Sequence, residues 1–400
     1  LIGWCSTEIL AAGRTLRWVQ LFSAGSESCV GAPRVRDGEV LLTGPAGLLG
    51  SALLERLLNS TNATVHCLVR PTAEATAEHR LRDVLEGLGH DVPNVRCRVV
   101  EGDLAAPRLG LDAESHARLA DQVDLILHVG AKVAWWGDVS EIRATNLDGV
   151  RSIVELAATG RPKRLAFGSS VAVFNADAYR DRDVVFETAL ADDPRGLRSP
   201  YVQSKWGGER ICGAAAAQGV PASILRVPYL LPHSQRPRFN ANGAVDLLLA
   251  ASIGIGAAPD LSLRLPLCPV DVCAEWILGI LGHPLPPCSF HHLLPYENLS
   301  WATLVEVARR EGHALEMVPA ADWFEMAREA SRTRRELRSI VTLMSRDPTR
   351  TLWSNSNICR LDLDDSETRS QCPDLPPRGT MDAALLGTCV RAIAGFAGRG

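Results

Sequence analysis

The apolar residues of this chain alternate between two rhythms over its first 230 or so positions. Short, mainly apolar runs have the length of buried strands: Glu39 to Leu42, Thr64 to Val69, Asp124 to Val129, Leu165 to Phe167 and Pro221 to Val227. Val95 to Val99 alternates apolar and polar residues and reads as a further strand. Between the runs the spacing is helical. Leu49, Leu53, Leu54, Leu57 and Leu58 share one face, and Glu141 to Ala158 forms a second helix. Ser199-Pro200 supplies a cap and a first-turn proline for a third helix over Tyr201 to Ala217.

Apolar strands separated by helices make a parallel sheet covered on both faces, with right-handed crossovers. The predicted class is α/β: a Rossmann-like, doubly wound parallel sheet over residues 37–232. After 232 the pattern loosens into prolines and short helical stretches. This predicts a smaller, mainly helical substrate lobe over 233–400, with 265–282 returning to the sheet and a long helix from Trp323 to Met344. Residues 1–36 lack clear periodicity, contain Gly31-Ala32-Pro33 near their end and read as a linker or leader.

A length of 400 residues suits such a two-lobed unit. With 46% hydrophobic and 22% charged residues, global disorder is excluded. A net charge of −4 lacks the basic excess that nucleic acid or an anionic membrane surface calls for. No apolar run reaches the ~20 residues of a membrane span. Glu8, Arg14 and Arg17 interrupt the first apolar stretch, which therefore lacks a signal-peptide core. The 11 cysteines are scattered, odd in number and without a C-x-x-C, and the ten histidines show no zinc spacing. The expectation is a reducing, cytoplasmic setting and no metal. Only three basic residues are lysines (Lys132, Lys163 and Lys205), so each invites attention.

The chemistry starts at Thr43-Gly44-Pro45-Ala46-Gly47-Leu48-Leu49-Gly50, a T-G-x-x-G-x-x-G between a strand and a helix. Glycines there allow a tight turn and bring backbone N–H groups and a helix N-terminus up to a dinucleotide pyrophosphate. Arg70 follows Gly50 by twenty residues, where a carboxylate would hold the ribose hydroxyl of NAD. Arginine suits the 2′-phosphate of NADPH instead, with Arg80 and Arg82 close enough in sequence to help. Asp103-Leu104 ends the third strand, where it can meet the adenine, and Gly130-Ala131 ends the fourth, where small residues let the cofactor pass. His128 reads as a satisfied core histidine.

The most specific signal is Tyr201-x-x-x-Lys205, for which chance supplies roughly 0.03 matches in a chain with so few tyrosines and lysines. Four residues apart on a helix, the two share a face. The ammonium of Lys205 is expected to lower the phenol's pKa and to hold the nicotinamide ribose. Ser169 and Ser170 follow the fifth strand at the ligand-binding edge of the sheet, where a hydroxyl can reach a reacting carbonyl. Asn146 reads either as a backbone or water anchor or as an ordinary helix-surface residue.

These motifs resemble the extended short-chain dehydrogenase/reductase superfamily. Val40-Leu41-Leu42-Thr43-Gly44, Cys67-Leu68-Val69-Arg70, Gly102-Asp103-Leu104, His128-Val129-Gly130-Ala131, Asn146-Leu147-Asp148-Gly149 and Gln203-Ser204-Lys205-Trp206 narrow the match. From about residue 38 onward the chain resembles the thioester reductase domains of nonribosomal peptide and polyketide synthetases and of carboxylic acid reductases. Arg226-Val227-Pro228-Tyr229 departs from the usual R-P-G, and Ala131 to Asp138, with Trp135-Trp136, from the usual substrate-loop wording. The resemblance implies that Ser170, Tyr201 and Lys205 are the catalytic set. It also implies NADPH-dependent reduction of an acyl thioester to an aldehyde and possibly onward to an alcohol. The acyl group would ride on a carrier protein's pantetheine arm or on CoA. An acidic carrier would suit the arginines at 328, 332, 334, 335 and 338. Two rivals are another extended reductase or nucleotide-sugar epimerase, and a non-catalytic NADP-binding regulator.

Overall fold

The computed structural model describes residues 37–92, 94–133, 139–236, 243–334 and 357–397, together with positions 2–3, 20–21, 35, 240, 337–338 and 340–341. Seven strands form the main sheet: β1 (Glu39–Thr43), β2 (Thr64–Val69), β3 (Cys97–Glu101), β4 (Leu125–His128), β5 (Arg164–Ser170), β6 (Ala222–Val227) and β7 (Cys288–His292). Their order is β7-β6-β5-β4-β1-β2-β3, with all neighbours parallel. The sheet grows outward in both directions from the β1–β4 pair. That reversal leaves a crevice at the strands' C-terminal ends, where ligands bind in such sheets.

The helices used below are α1 (Leu48–Ser60), α2 (Ala77–Gly87), α3 (Ala113–Gln122), α4 (Gly149–Ala158), α5 (Pro200–Ala217), α6 (Ala244–Ile255), α7 (Val270–Leu281), α8 (Trp301–Arg310), α9 (Ala320–Ala330) and α10 (Ala383–Ala397). Strand residues alternate between two apolar layers. Val40, Leu42, Val65, Leu125 and Leu127 pack with α1, α2 and α7. Leu41, Ile126, Leu165 and Phe167 pack with α3, α4 and α5. Burial on both faces explains why these strands are continuous apolar runs. A third core joins Val171–Phe174 to α6, α8, α9 and α10. Its two sealed tryptophans keep their N–H groups paired: Trp301 donates to the Pro259 carbonyl and Trp323 to that of Ala257, both at 2.8 Å.

Several elements differ from the pattern's prediction. No apolar run marks β7, because Cys-Ser-Phe-His-His is too polar to read as a buried strand. Its polar side chains are paired inside the protein, Ser289 with Ser223 at 3.0 Å and His291 with Thr368 at 2.8 Å. The helix expected over 141–158 starts at Val139 and is interrupted by a π turn, Ala144–Asp148, before α4. The long helix expected from Trp323 stops at Ala330, where Ser331 to Thr333 turn; 335–336, 339 and 342–344 lie outside the described residues. In the first 34 residues, only Ile2–Gly3 and Gln20–Leu21 are described, as a short parallel pair. Among the described residues no helix is long and apolar enough to cross a membrane, no two cysteines are bridged and no cluster could hold a metal ion.

Candidate active site

β1 delivers the glycine turn to the crevice. Gly44 has φ +68°, and a Cβ there would sit 2.6 Å from the Gly130 Cα at the end of β4. A Cβ on Gly50 would fall 1.9 Å from the Gly44 carbonyl oxygen, so α1 can start this close to the turn only with glycine. Thr43 is fully buried and does not line the cavity. Its hydroxyl accepts from the Gly130 N–H at 2.9 Å and pairs with His128 Nδ1 at 2.8 Å, tying β1 to β4. His128 is thus a satisfied core histidine, and burial lowers its pKa to about 3.

One cavity of about 570 Å³ runs from this turn across the sheet edge. Gly44, Gly47, Leu48, Leu49, Gly50, Arg70, Arg80, Asp103, Leu104 and Gly130 all line it, as do Ser170, Tyr201 and Lys205. The Arg70 guanidinium is largely exposed, 3.8 Å from the Asp103 carboxylate, and Arg80 donates to the Arg70 carbonyl. Arg82 is exposed and lies outside the cavity lining. The Asp103 N–H donates to the Leu109 carbonyl at 2.8 Å. Leu109 and Arg108 hold left-handed backbones (φ 62° and 50°) that non-glycine residues seldom adopt. This strained turn fixes the Asp103 loop, and no motif announces it.

The catalytic candidates meet at the end of β5. Ser170 is the strand's last residue; its Oγ accepts from the Ala172 N–H at 3.2 Å. Lys205, on α5, is buried, donates to the Gly168 carbonyl at 2.6 Å and lies 5.7 Å from the Tyr201 ring centre. Asn146 sits in the π turn and is buried. It accepts from the Lys132 N–H at 2.7 Å, and its Nδ2 donates to the Lys132 carbonyl at 3.1 Å and to Ser204 Oγ at 2.9 Å. The extra residue of the π turn aims this amide inward, so it bridges the loop after β4 to α5. The aromatic pair Trp135-Trp136 lies outside the described residues.

The electrostatics correct one expectation. Burial dominates, and the Tyr201 phenol is pushed up to about 12, not down. Burial likewise lowers Lys205 to about 8, with Cys212 and Glu209 partly opposing it. Water is displaced from both groups, which disfavours phenolate and ammonium alike. Tyr201 is therefore a neutral phenol at pH 7, the form that donates a proton. Lys205 is charged below about pH 8 and loses its charge above that value. If the ammonium is needed, kcat should be flat below pH 8 and fall through one ionisation above it; an unchanged kcat to pH 10 would dismiss the need.

The arginine-rich face in the second lobe is less cationic than its sequence suggests. Arg328 pairs with Glu325 at 2.7 Å and Arg332 with Glu329 at 3.0 Å. Arg334 donates to the Gly254 carbonyl at 2.6 Å, tying itself to the end of α6, while Arg335 lies outside the described residues. Two of these arginines thus have a carboxylate neighbour, while Arg334 keeps its charge against a backbone carbonyl.

Comparison with known proteins places this geometry. The sequence profile of the family described as Male sterility protein matches residues 42–277. A linear gramicidin synthase protein of Brevibacillus parabrevis is 33% identical over 72% of this chain and 6% of its own length. Isonitrile lipopeptide synthase of Streptomyces coeruleorubidus is 32% identical over 71% of this chain and 19% of its own. The chain thus spans a small part of the curated relatives it matches. Among solved structures, the terminal R domain from the myxalamid PKS-NRPS biosynthetic pathway superposes with a TM-score of 0.79 at 27% identity, covering 90% of this chain and 91% of that one.

Proposed function

Because the chain belongs to the Male sterility protein family, within the NAD(P)-binding extended short-chain reductases, we propose that this oxidoreductase uses NADPH to reduce an acyl thioester to an aldehyde. The observation that carries this is a shared cavity: the glycine turn and Arg70 form one end, and Ser170, Tyr201 and Lys205 the other. The acyl group arrives on the pantetheine arm of a carrier protein, as suits a chain similar to parts of peptide synthases. The glycine turn and Arg70 would hold NADPH, which when bound would supply the hydride for the carbonyl carbon.

The chain's own residues handle the proton and the charge. As the carbonyl π pair moves onto oxygen, Tyr201 gives that oxygen its phenolic proton. The Ser170 hydroxyl donates a hydrogen bond to the same oxygen and steadies its charge. Lys205, fixed on the Gly168 carbonyl, places a positive charge on the Tyr201 side that stabilises the phenolate left behind. The hemithioacetal then loses thiolate as the C–S bond breaks; the thiolate takes a proton, the hydroxyl proton returns to Tyr201, and the aldehyde forms. A second round on the aldehyde would consume another NADPH and give an alcohol.

The test is direct: mix the protein with NADPH and an acyl pantetheine thioester, follow nicotinamide absorbance, and assay aldehyde and free thiol. One nicotinamide oxidised per thiol released is expected where reduction stops at the aldehyde, and two per thiol where it goes on to the alcohol; oxidation without thiol, or none, rejects the reading. Two substitutions refine it. Ser170→Ala should cost roughly 10²-fold in kcat, as for one oxyanion donor. Arg70→Ala should weaken NADPH by ~1.5–3 kcal/mol, the worth of a charged hydrogen bond, while leaving NADH binding nearly unmoved. Equal losses for the two cofactors would remove Arg70 from the 2′-phosphate.

A further inference from the structure

We infer that Ser169 and Glu209 are positioning residues, which clamp the end of β5 so that Ser170 and the Gly168 carbonyl meet Tyr201 and Lys205. This rests on the roles given above to those groups. Three consecutive residues line the cavity and are held differently: the Gly168 carbonyl accepts from Lys205, Ser169 Oγ donates to the Glu209 carboxylate, and Ser170 Oγ accepts from the Ala172 N–H. Successive side chains on a strand point to opposite sides, so holding Ser169 decides where Ser170 points. Two adjacent serines at a strand end are interchangeable in chemistry. A one-residue slip would present the wrong hydroxyl.

Glu209 is itself immobilised. It lies one helical turn beyond Lys205 on α5, with its side chain only 2% exposed. Arg226 on β6, in register with Ser169, holds both carboxylate oxygens at 2.9 to 3.3 Å. Two further Arg226 N–H groups donate to the Thr188 carbonyl at 2.6 Å and to His292 Nε2 at 3.1 Å. His292 Nδ1 donates to the Asp364 carbonyl at 2.6 Å, which fixes the tautomer that accepts from Arg226. The Arg226 guanidinium lies between the Phe174 and Phe290 rings, 4.8 and 5.0 Å from their centres. A buried ion pair adds little net stability over a well-packed apolar pair. What this one does supply is a rigid, charged acceptor aimed at the residue beside Ser170.

The test begins with Ser169→Ala, which removes one hydroxyl and keeps the Arg226–Glu209 pair. We expect kcat to fall about tenfold, the scale of a small misplacement, with KM for NADPH and for the pantetheine thioester within about twofold of wild type. Because Ser169 acts largely through Ser170, the Ser169→Ala/Ser170→Ala double variant should lose less than the product of the two single losses. A wild-type kcat in Ser169→Ala, or additive losses in the double variant, overturns the proposal. Hydrogen exchange reads the same point without any substrate. The Ala172 N–H, held by Ser170 Oγ, should exchange faster in Ser169→Ala, and unchanged protection also overturns the clamp. If the wild-type protein reduces no thioester while that amide loses protection in the variant, the assigned reaction fails and the clamp stands.

Discussion

Replacing Tyr201 with phenylalanine should lower kcat by about 10³-fold, within the range for a positioned proton donor, while leaving NADPH affinity unchanged. The two halves of this expectation come from different ends of the cavity. The glycine turn joins β1 to α1 and Arg70 directly follows β2, whereas Tyr201 lies on α5. Removing one phenolic oxygen leaves the ring, and with it the face toward the Lys205 ammonium 5.7 Å away. The thioester carbonyl then gains charge with the Ser170 hydrogen bond to steady it but no positioned phenol to protonate it. Steady-state turnover and NADPH fluorescence titration check the two halves separately. Near-normal turnover would remove Tyr201 as the acid, and a parallel loss of NADPH binding would give it a structural role instead.

Arg226→Met should destabilise the fold by about 3–5 kcal/mol, because it strands the Glu209 carboxylate without its counter-charge in a sealed site. Methionine fills part of the slot between Phe174 and Phe290, so the loss reports the charge more than a cavity. Adding Glu209→Leu in the same chain should recover much of that loss, since two apolar groups leave nothing stranded. Denaturant unfolding of the single and double variants measures this. If the double variant is no more stable than the single, the cost lies in packing or in the Thr188 and His292 contacts. The recovered double variant should still turn over slowly, because Ser169 would have no acceptor.

The strands, the cofactor turn and the Tyr201–Lys205 pair were legible in the sequence because each rests on local rules. A buried parallel strand must be apolar on both faces, a pyrophosphate turn needs glycine, and residues four apart on a helix share a face. Asn146 was ambiguous, since nothing local distinguishes an exposed helical asparagine from one turned inward by a π turn. The direction of the Tyr201 shift does not follow from sequence, which shows the neighbouring cation and hides the burial that outweighs it. The partners of the arginines near 330 also needed the fold: Glu325 and Glu329 sit on two of them and the Gly254 carbonyl, from another helix, on a third.

Spacings of a few residues were enough to set the α/β class, the dinucleotide turn and the residue types able to move a proton. Only the folded chain shows that the polar segment Cys288–His292 is a sheet strand and that the Ser169 hydroxyl donates to Glu209. The same holds for Glu209 and Arg226, which seal the strand end behind it. A buried polar group is stable only once its partner is found. Here the partners lie far along the chain, with His291 on Thr368, His292 on Asp364 and Arg226 on Glu209, beyond the reach of any local pattern.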